Sequence, residues 1–353
     1  MKSKKQIRIG SHFVGEGAPV YIVAELSANH LQDRGRALEI LHAAHEAGAD
    51  AFKLQTYRAD TITLDSARPE FLIGGGTPWD GERLYQLYEK AYTPWEWHQE
   101  LMEEAEKLGM DCFSSPFDPT AVELMGQLKM PAVKIASYEI ADIPLIKKAA
   151  ALGVPMILST GIAHLSDIEA AIRACGEMGN DRIILLKCVS EYPTPYSEVH
   201  LNMLPTLERT FRVITGLSDH TLGYHIPVAA CALGAKLVEK HLTLKRSDGG
   251  PDGDFSMEPA EFAEMVKHIR ETEAAMGDAD YHLTPAQEAE RSGGRSLYVT
   301  ADLKPGDVFT EKNIKSVRPA EGLPPVYLEK VLGKQAACGI AAGTPLKLEL
   351  VKF

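Results

Sequence analysis

Between residue 19 and about residue 276 the chain repeats one pattern: a short apolar run, then a segment with helical spacing, then another run. The runs are "PVYIVAEL" (19–26), "AFKLQTY" (51–57), "MDCFSS" (110–115), "AVKIAS" (132–137), "PMILST" (155–160), "RIILLKC" (182–188), "RVITGLSD" (212–219) and "KLVEKHLT" (236–243). Between them, segments such as "RALEILHAAHEAG", "IPLIKKAAALG" and "LSDIEAAIRACGEMG" space apolar residues by three and four, and each ends on glycine. Strands separated by helices pair in parallel, because each crossover has to climb back over the sheet. Eight such units in about 250 residues predict a closed (β/α)8 barrel. An open doubly wound sheet is the alternative, weakened because no GxGxxG opens the first unit.

Two segments break the pattern. The second run is followed by a long insertion rich in glycine and aromatics, "RADTITLDSARPEFLIGGGTPWDGERLYQLYEKAYTPWEW". In a barrel it leaves from the C-terminal face, where active sites lie, and a long loop there reads as functional. Its Gly-Gly and Trp79 region is expected to close over the substrate. After the last helix, "MGDADYHLTPAQEAERSGG" reads as a polar linker. The tail beyond it has short strand-like runs and the tight-turn sequences "KPGD" and "AAGTP". The expected domains are therefore residues 1–276, a linker 277–293, and a small β-rich module 294–353.

Charge separates these parts. The whole chain has 37 Lys+Arg and 49 Asp+Glu, a balance of −12. Residues 294–353 hold nine Lys/Arg and six Asp/Glu, so +3, which leaves −15 for the rest. An acidic chain is a poor general binder of nucleic acid or anionic membrane, since phosphate binding relies on Lys and Arg displacing counterions. No run of about 18 apolar residues is present to span a bilayer, and the basic start lacks a signal-peptide core. Five cysteines, none in CxxC spacing and most in apolar runs, read as buried free thiols. A cytoplasmic location is expected.

Polar residues gather at the ends of the eight runs: Glu25; Lys53 and Gln55; Ser114 and Ser115; Lys134, Ser137 and Glu139; Ser159 and Thr160; Lys187 and Ser190; Ser218, Asp219 and His220; Glu239 and His241. In a barrel those ends converge on one mouth, where a packed interior would otherwise favour branched apolar side chains. Lys53, Lys134 and the serines form a candidate anion site; each lysine reads equally as a paired structural cation or a Schiff-base nucleophile. His220 and His241 end neighbouring runs and could share one divalent ion, and Asp219 adjoins them; structural or acid–base roles are the other reading. Glu25 and Glu139 are candidate general base and acid, or charge balance for the lysines. His30 in "SANH" lies near the mouth, as a substrate contact or a helix-start residue.

The motifs "VAELSANH", "AFKLQTY", "FSSPFD", "VKIASYE", "LSTGI", "KCVSEYPTP", "GLSDHT" and "VEKHLT" resemble, in order and spacing, those of the sialic acid synthase family, and the tail with "KSVRPAEGL" resembles its antifreeze-like (SAF) domain. The insertion is most similar to the branch that makes pseudaminic acid. The resemblance implies condensation of phosphoenolpyruvate with an open-chain amino-sugar aldehyde, 2,4-diacetamido-2,4,6-trideoxy-altropyranose, with legionaminic or N-acetylneuraminic acid synthesis as the near alternatives. It places a metal (Mn2+, Mg2+ or Co2+) on His220 and His241, and phosphoenolpyruvate on Lys53, Ser115, Lys134, Ser137, Ser159 and Ser218. Ser190 stands where the family has Asn. The resemblance implies conformation-sensing roles for Glu25 and Glu139 and sugar-side roles for Tyr192 and Asp252, with Gln55 also on the substrate. It carries the arginine that the SAF domain inserts into a partner's site onto Arg318, hence a domain-swapped homodimer.

Two rivals stay open on sequence: a metal-independent Schiff-base aldolase using Lys53 or Lys134, and a non-catalytic carbohydrate- or ice-binding protein with the tail as its binding module.

Overall fold

The computed structural model describes residues 6–74 and 80–353, so Trp79 lies outside the described residues. The chain divides into two compact units, Met1–Gly277 and Asp278–Phe353.

The first unit is a closed barrel of parallel strands. Its strands are β1 (Tyr21–Glu25), β2 (Ala51–Thr56), β3 (Asp111–Pro116), β4 (Val133–Ile135), β5 (Met156–Ser159), β6 (Ile183–Lys187), β7 (Ile214–Asp219) and β8 (Leu237–His241). They follow one another around the ring in chain order, and β8 closes onto β1 with His241 opposite Glu25. Each expected run holds a strand, trimmed by one to three residues where the ladder gives way to loop, and β3 also extends one residue beyond its run, to Pro116. Helices such as Arg34–Glu46, Ile143–Ala150, Leu165–Glu177 and Pro259–Met276 cover the outside. Aspartates start several of them: Asp33 accepts from Arg36 N, Asp118 from Thr120 N and Ala121 N, and Asp142 from Leu145 N. Each satisfies backbone donors that a first helical turn leaves free.

An antiparallel hairpin, Gln6–Ile9 with His12–Gly15, precedes the barrel. It was not legible from the sequence. Ile7, Ile9 and Val14 join Tyr21, Val23, Ala51, Phe113 and Ile157 in one buried cluster, so the hairpin plugs the N-terminal end of the barrel. Asp111, the first residue of β3, fastens it by accepting from Ser11 N at 3.0 Å, from Tyr21 Oη at 2.8 Å, and by pairing with His12 Nδ1 at 2.9 Å. The turn needs glycine: Gly10 has φ +50°, and a Cβ there would sit 2.1 Å from Asp111 Oδ1.

The second unit begins with an exposed stretch containing a short helix, Pro285–Glu290, capped by Thr284. Beyond it, Ser296–Val299 pairs antiparallel with Ile314–Val317, and Gln335–Ala336 with Val351–Lys352. Leu297, Val299, Phe309, Val331 and Leu346 are the fully buried centre of its own core. The cysteines are all free; four are buried, while Cys338 is exposed, contrary to the expectation that the thiols are buried. It follows a two-residue strand in the small unit, where little interior is available. No helix among the described residues is long and apolar enough to cross a membrane.

Candidate active site

The site follows from the two-residue period of a strand. The apolar layer inside the barrel includes Val23, Ala51, Phe113, Ala132, Ile157, Leu186 and Leu237. Two residues further along each strand come Glu25, Lys53, Ser115, Lys134, Ser159, Cys188 and Glu239. Each of these is buried, with at most 4 % of its surface exposed. The barrel thus changes from hydrocarbon to a polar layer in one step of the pleat, at its C-terminal end.

That layer is held by ion pairs. Lys53 Nζ pairs with Glu25 Oε2 and lies 3.7 Å from Glu239 Oε1 and 3.4 Å from Ser115 Oγ. Lys134 Nζ donates to Glu239 Oε1 at 2.8 Å, and Ser218 Oγ donates to the same oxygen at 3.2 Å. Burial pushes the Lys134 ammonium pKa down, but Glu239 more than offsets it, and Lys134 stays protonated. Burial pushes the Glu239 carboxyl up; Lys134 and Lys53 hold it below the ordinary carboxylate range. Burial raises Glu25, with Lys53 opposing. Glu239, which the sequence marks only as a polar strand end, is the hub between the two lysines.

One wall of the mouth is built of hydroxyls. Ser137 Oγ accepts from Gly161 N at 3.0 Å, and the Ser159 and Ser190 hydroxyls are buried without a partner among the described residues. A Cβ on Gly161 would lie 2.4 Å from Ser190 Oγ and 2.7 Å from Ser137 Oγ, so only glycine leaves these serines their space. Glu139 ends the short turn Ser137–Glu139, its Oε2 buried and unpartnered among the described residues, and burial pushes its carboxyl up to about 7.

The histidines face one another on the adjacent strand ends. The rings of His220 and His241 are 5.2 Å apart, with Phe255 5.1 Å from His241 and Tyr192 4.4 Å from His220. His220 Nδ1 lies 2.9 Å from the Val189 carbonyl, which accepts its proton; burial pushes this ring's pKa down, but Cys188 beside it and the Val189 carbonyl more than offset that and raise it. His241 Nδ1 is buried and has no partner among the described residues; burial, His220, Lys53, Lys134 and Lys240 hold this ring well below the ordinary imidazole pKa, hence neutral. Two converging imidazoles, one with an orphaned buried nitrogen, fit a divalent ion that would displace any second proton on His220, with remaining positions open. Among the described residues no third His, Cys, Asp or Glu joins them.

Several expected members of the mouth fall elsewhere: Thr160 Oγ1 donates to the Leu186 carbonyl and Lys187 Nζ to the Cys188 carbonyl, both at 2.9 Å. Asp219 is bonded by Lys240 Nζ and by Thr221 Oγ1 at 3.0 Å, so it does not adjoin an ion at His220. Ser114 bonds Thr56 Oγ1 at 2.6 Å, which in turn reaches His98. Both have the parity opposite to Ser218 and Ser115, and strand alternation turns them outward. His30 is structural: its Nδ1 accepts from Gln32 N at 3.0 Å, Thr93 Oγ1 lies 3.3 Å from Nε2, and burial pushes its pKa down to about 4.

On the remaining side, Gln55 Nε2 donates to Glu25 Oε1 and to Ser27 Oγ, both at 3.0 Å, and Asp252 accepts from Ser27 Oγ and from Ala28 N. Asn29 Nδ2 donates to Leu242 O and Ser256 Oγ, so the loop after β8 that carries Asp252 is clasped to the loop after β1. Ser27 and Phe255 were not singled out from sequence. Ser27 shares the parity of Glu25, which is a usable signal; Phe255 had none. Arg318 lies in the second unit, exposed, directly after the strand Ile314–Val317.

Known proteins resemble this chain in sequence and fold. Residues 40–281 match the NeuB family, and residues 294–352 match the SAF domain. A pseudaminic acid synthase from Helicobacter pylori is 46% identical over 94% of this chain and 97% of its own. An N,N'-diacetyllegionaminic acid synthase from Campylobacter jejuni is 36% identical over 89% of this chain and 95% of its own. Among solved structures, the spore coat polysaccharide biosynthesis protein SpsE of Bacillus subtilis superimposes with a TM-score of 0.68 at 32% identity, covering 99% of both chains. With the family match spanning most of the barrel and the second match spanning the tail, the chain belongs to the NeuB family and ends in a SAF domain.

Proposed function

We propose that the barrel mouth condenses phosphoenolpyruvate with the open-chain aldehyde of 2,4-diacetamido-2,4,6-trideoxy-β-L-altropyranose and water, giving pseudaminic acid and phosphate. The observation that carries this reading is the pair of buried ammonium groups, Lys53 and Lys134, fixed by Glu25 and Glu239 beneath a wall of serine hydroxyls. Fixed charges in a water-poor site favour a small polyanion, which brings its own negative charge and takes up the unpartnered hydroxyls of Ser159 and Ser190. The choice of sugar is supported by pseudaminic acid synthases at 43% and 46% identity, against 36% for a legionaminic acid synthase.

The chemistry is an orientation problem solved by rigid strand ends. C3 of phosphoenolpyruvate bonds to the aldehyde carbon, whose oxygen takes a proton and becomes a hydroxyl. Water adds at C2, with Glu25 in position to receive its proton. The adduct then collapses to the ketone by breaking the C–O bond to phosphate, which leaves into the field of Lys53 and Lys134. Ser115, Ser137 and Ser218 orient the anion; Gln55, Tyr192 and Asp252 face the sugar. His220 and His241 would hold Mn2+, Mg2+ or Co2+, which supplies Lewis acidity toward the aldehyde oxygen.

A Schiff-base aldolase needs a neutral amine, and Lys134 is held protonated by Glu239 while Lys53 is paired with Glu25. A homodimer in which Arg318 of one copy reaches the other's mouth is supported by exposed apolar side chains on the loops after β4 to β7, among them Tyr138, Ile162, Tyr196 and Leu222. A cytoplasmic setting is supported by the free thiols.

The test is incubation with phosphoenolpyruvate and a panel of amino sugars, reading phosphate release and product mass. Turnover with the diacetamido-altrose compound and unlabelled phosphate in heavy-oxygen water is expected. Phosphate carrying the label would mean cleavage at phosphorus and overturn the proposed sequence.

A further inference from the structure

Two carboxylates bracket a short polar chain on one side of the mouth. Glu25 Oε1 accepts from Gln55 Nε2, Gln55 Nε2 also reaches Ser27 Oγ, and Ser27 Oγ bonds Asp252 Oδ2. The direction of this chain follows when the carboxyls at its two ends are ionised. Ala28 N–H also points at Asp252 Oδ2, at 3.2 Å; burial raises the Asp252 carboxyl, while this bond and the one from Ser27 favour its carboxylate, which only accepts. The single hydroxyl proton of Ser27 therefore goes to Asp252, and Ser27 Oγ has to accept from Gln55. An ionised Glu25 likewise only accepts. Gln55 must then spend both amide protons on Glu25 and Ser27, which leaves its Oε1 as a free acceptor. Asp252 Oδ1 likewise makes no hydrogen bond among the described residues.

Ser27 is held for this task at a conformational cost. It is 2 % exposed and has φ +47°, the left-handed region that favours glycine. Strain of this kind at the rim of a site, on a side chain joining two strand-end groups to the loop after β8, is what an over-determined functional position shows.

We propose that Ser27 is a positioning residue: its hydroxyl sets the orientation of the Gln55 amide and the Asp252 carboxylate, so that both offer acceptor oxygens to the hydroxyl and acetamido N–H groups of the sugar. This rests on the function proposed above and deepens its sugar side.

The test varies each substrate separately in the full-length protein for Ser27→Ala and Ser27→Gly. In both variants KM for the amino sugar rises about tenfold, as for loss of one oriented hydrogen-bond set. KM for phosphoenolpyruvate stays within twofold, because Lys53 and Lys134 are untouched. Ser27→Gly melts above Ser27→Ala, since glycine relieves the backbone, yet the two share the same sugar defect. The proposal is overturned by a sugar KM within twofold of wild type, by both KM values rising together, or by a defect that follows melting temperature. A substrate-free reading separates it from the function itself. The Gln55 side-chain amide resonances, assigned by their loss in Gln55→Glu, shift in Ser27→Ala. If the wild-type chain makes no product from phosphoenolpyruvate and any amino sugar, the functional reading fails; a shifted resonance still supports the latch, and an unmoved one removes it.

Discussion

Lys134 and Glu239 stand on β4 and β8, four strands apart around an eight-stranded ring, and their charged ends meet at 2.8 Å across its centre. The pair is buried on both sides, and Ser218 and Lys53 converge on the same carboxylate. It forms the floor on which the rest of the mouth is assembled.

Removing one partner leaves an uncompensated buried charge, which typically costs about 3–5 kcal/mol. Glu239→Gln, leaving two ammonium groups with Glu25 alone, is expected to lose stability of that order and all measurable turnover. Lys134→Met combined with Glu239→Leu recovers much of the stability and none of the activity. Urea denaturation of the two variants beside wild type checks this.

His220→Ala and His241→Ala are expected to lower kcat by about a thousandfold or more, the scale of several kcal/mol of Lewis-acid stabilisation, with little change in melting temperature. Calorimetric titration with Mn2+ is expected to show binding in wild type and none in either variant. Chelation of wild type should silence it and added Mn2+ restore it; full activity after chelation would refute the role.

Glu139 makes stability depend on pH. Burial lifts its pKa from 4.5 to about 7, so the folded state holds this proton more tightly than the unfolded state. Folding is therefore unpenalised below about 4.5, and stability falls as pH rises from there to about 7. Glu139→Gln removes the penalty. Its melting temperature relative to wild type should rise by about 2 °C at pH 8 and be unchanged at pH 4.5; a pH-independent difference would contradict this assignment.

Arg318→Ala is expected to raise KM about ten- to hundredfold, as for loss of a charge-assisted contact, while the barrel stays intact. Mixing it with His220→Ala should recover activity if a subunit completes its partner's site. Heterodimers verified by mass that show none would end that reading.

What the sequence disclosed, and what it withheld, follows from period. All eight strands were legible because each is an apolar run between helical segments. The polar layer was legible as strand ends, but the inward set was not separated from the outward one: Ser114 and Asp219 were grouped with Ser115 and Ser218. Counting by two from the buried Phe113 and Ile214 divides them correctly, since alternation is strict along a strand. Glu239 was visible and its importance was not, because its partner on β4 lies across the ring, about a hundred residues away in the chain. The hairpin Gln6–Gly15 was missed because two four-residue strands carry too few alternating positions to stand out. Ser27 was passed over because it lies beyond the end of β1, where neither strand nor helix spacing speaks.

The plug formed by Ile7, Ile9 and Val14 has a kinetic implication. With the opposite end shut, both reactants come in and both products go out by one opening. Of two reactants that share one opening, the one that lies deeper has to enter first.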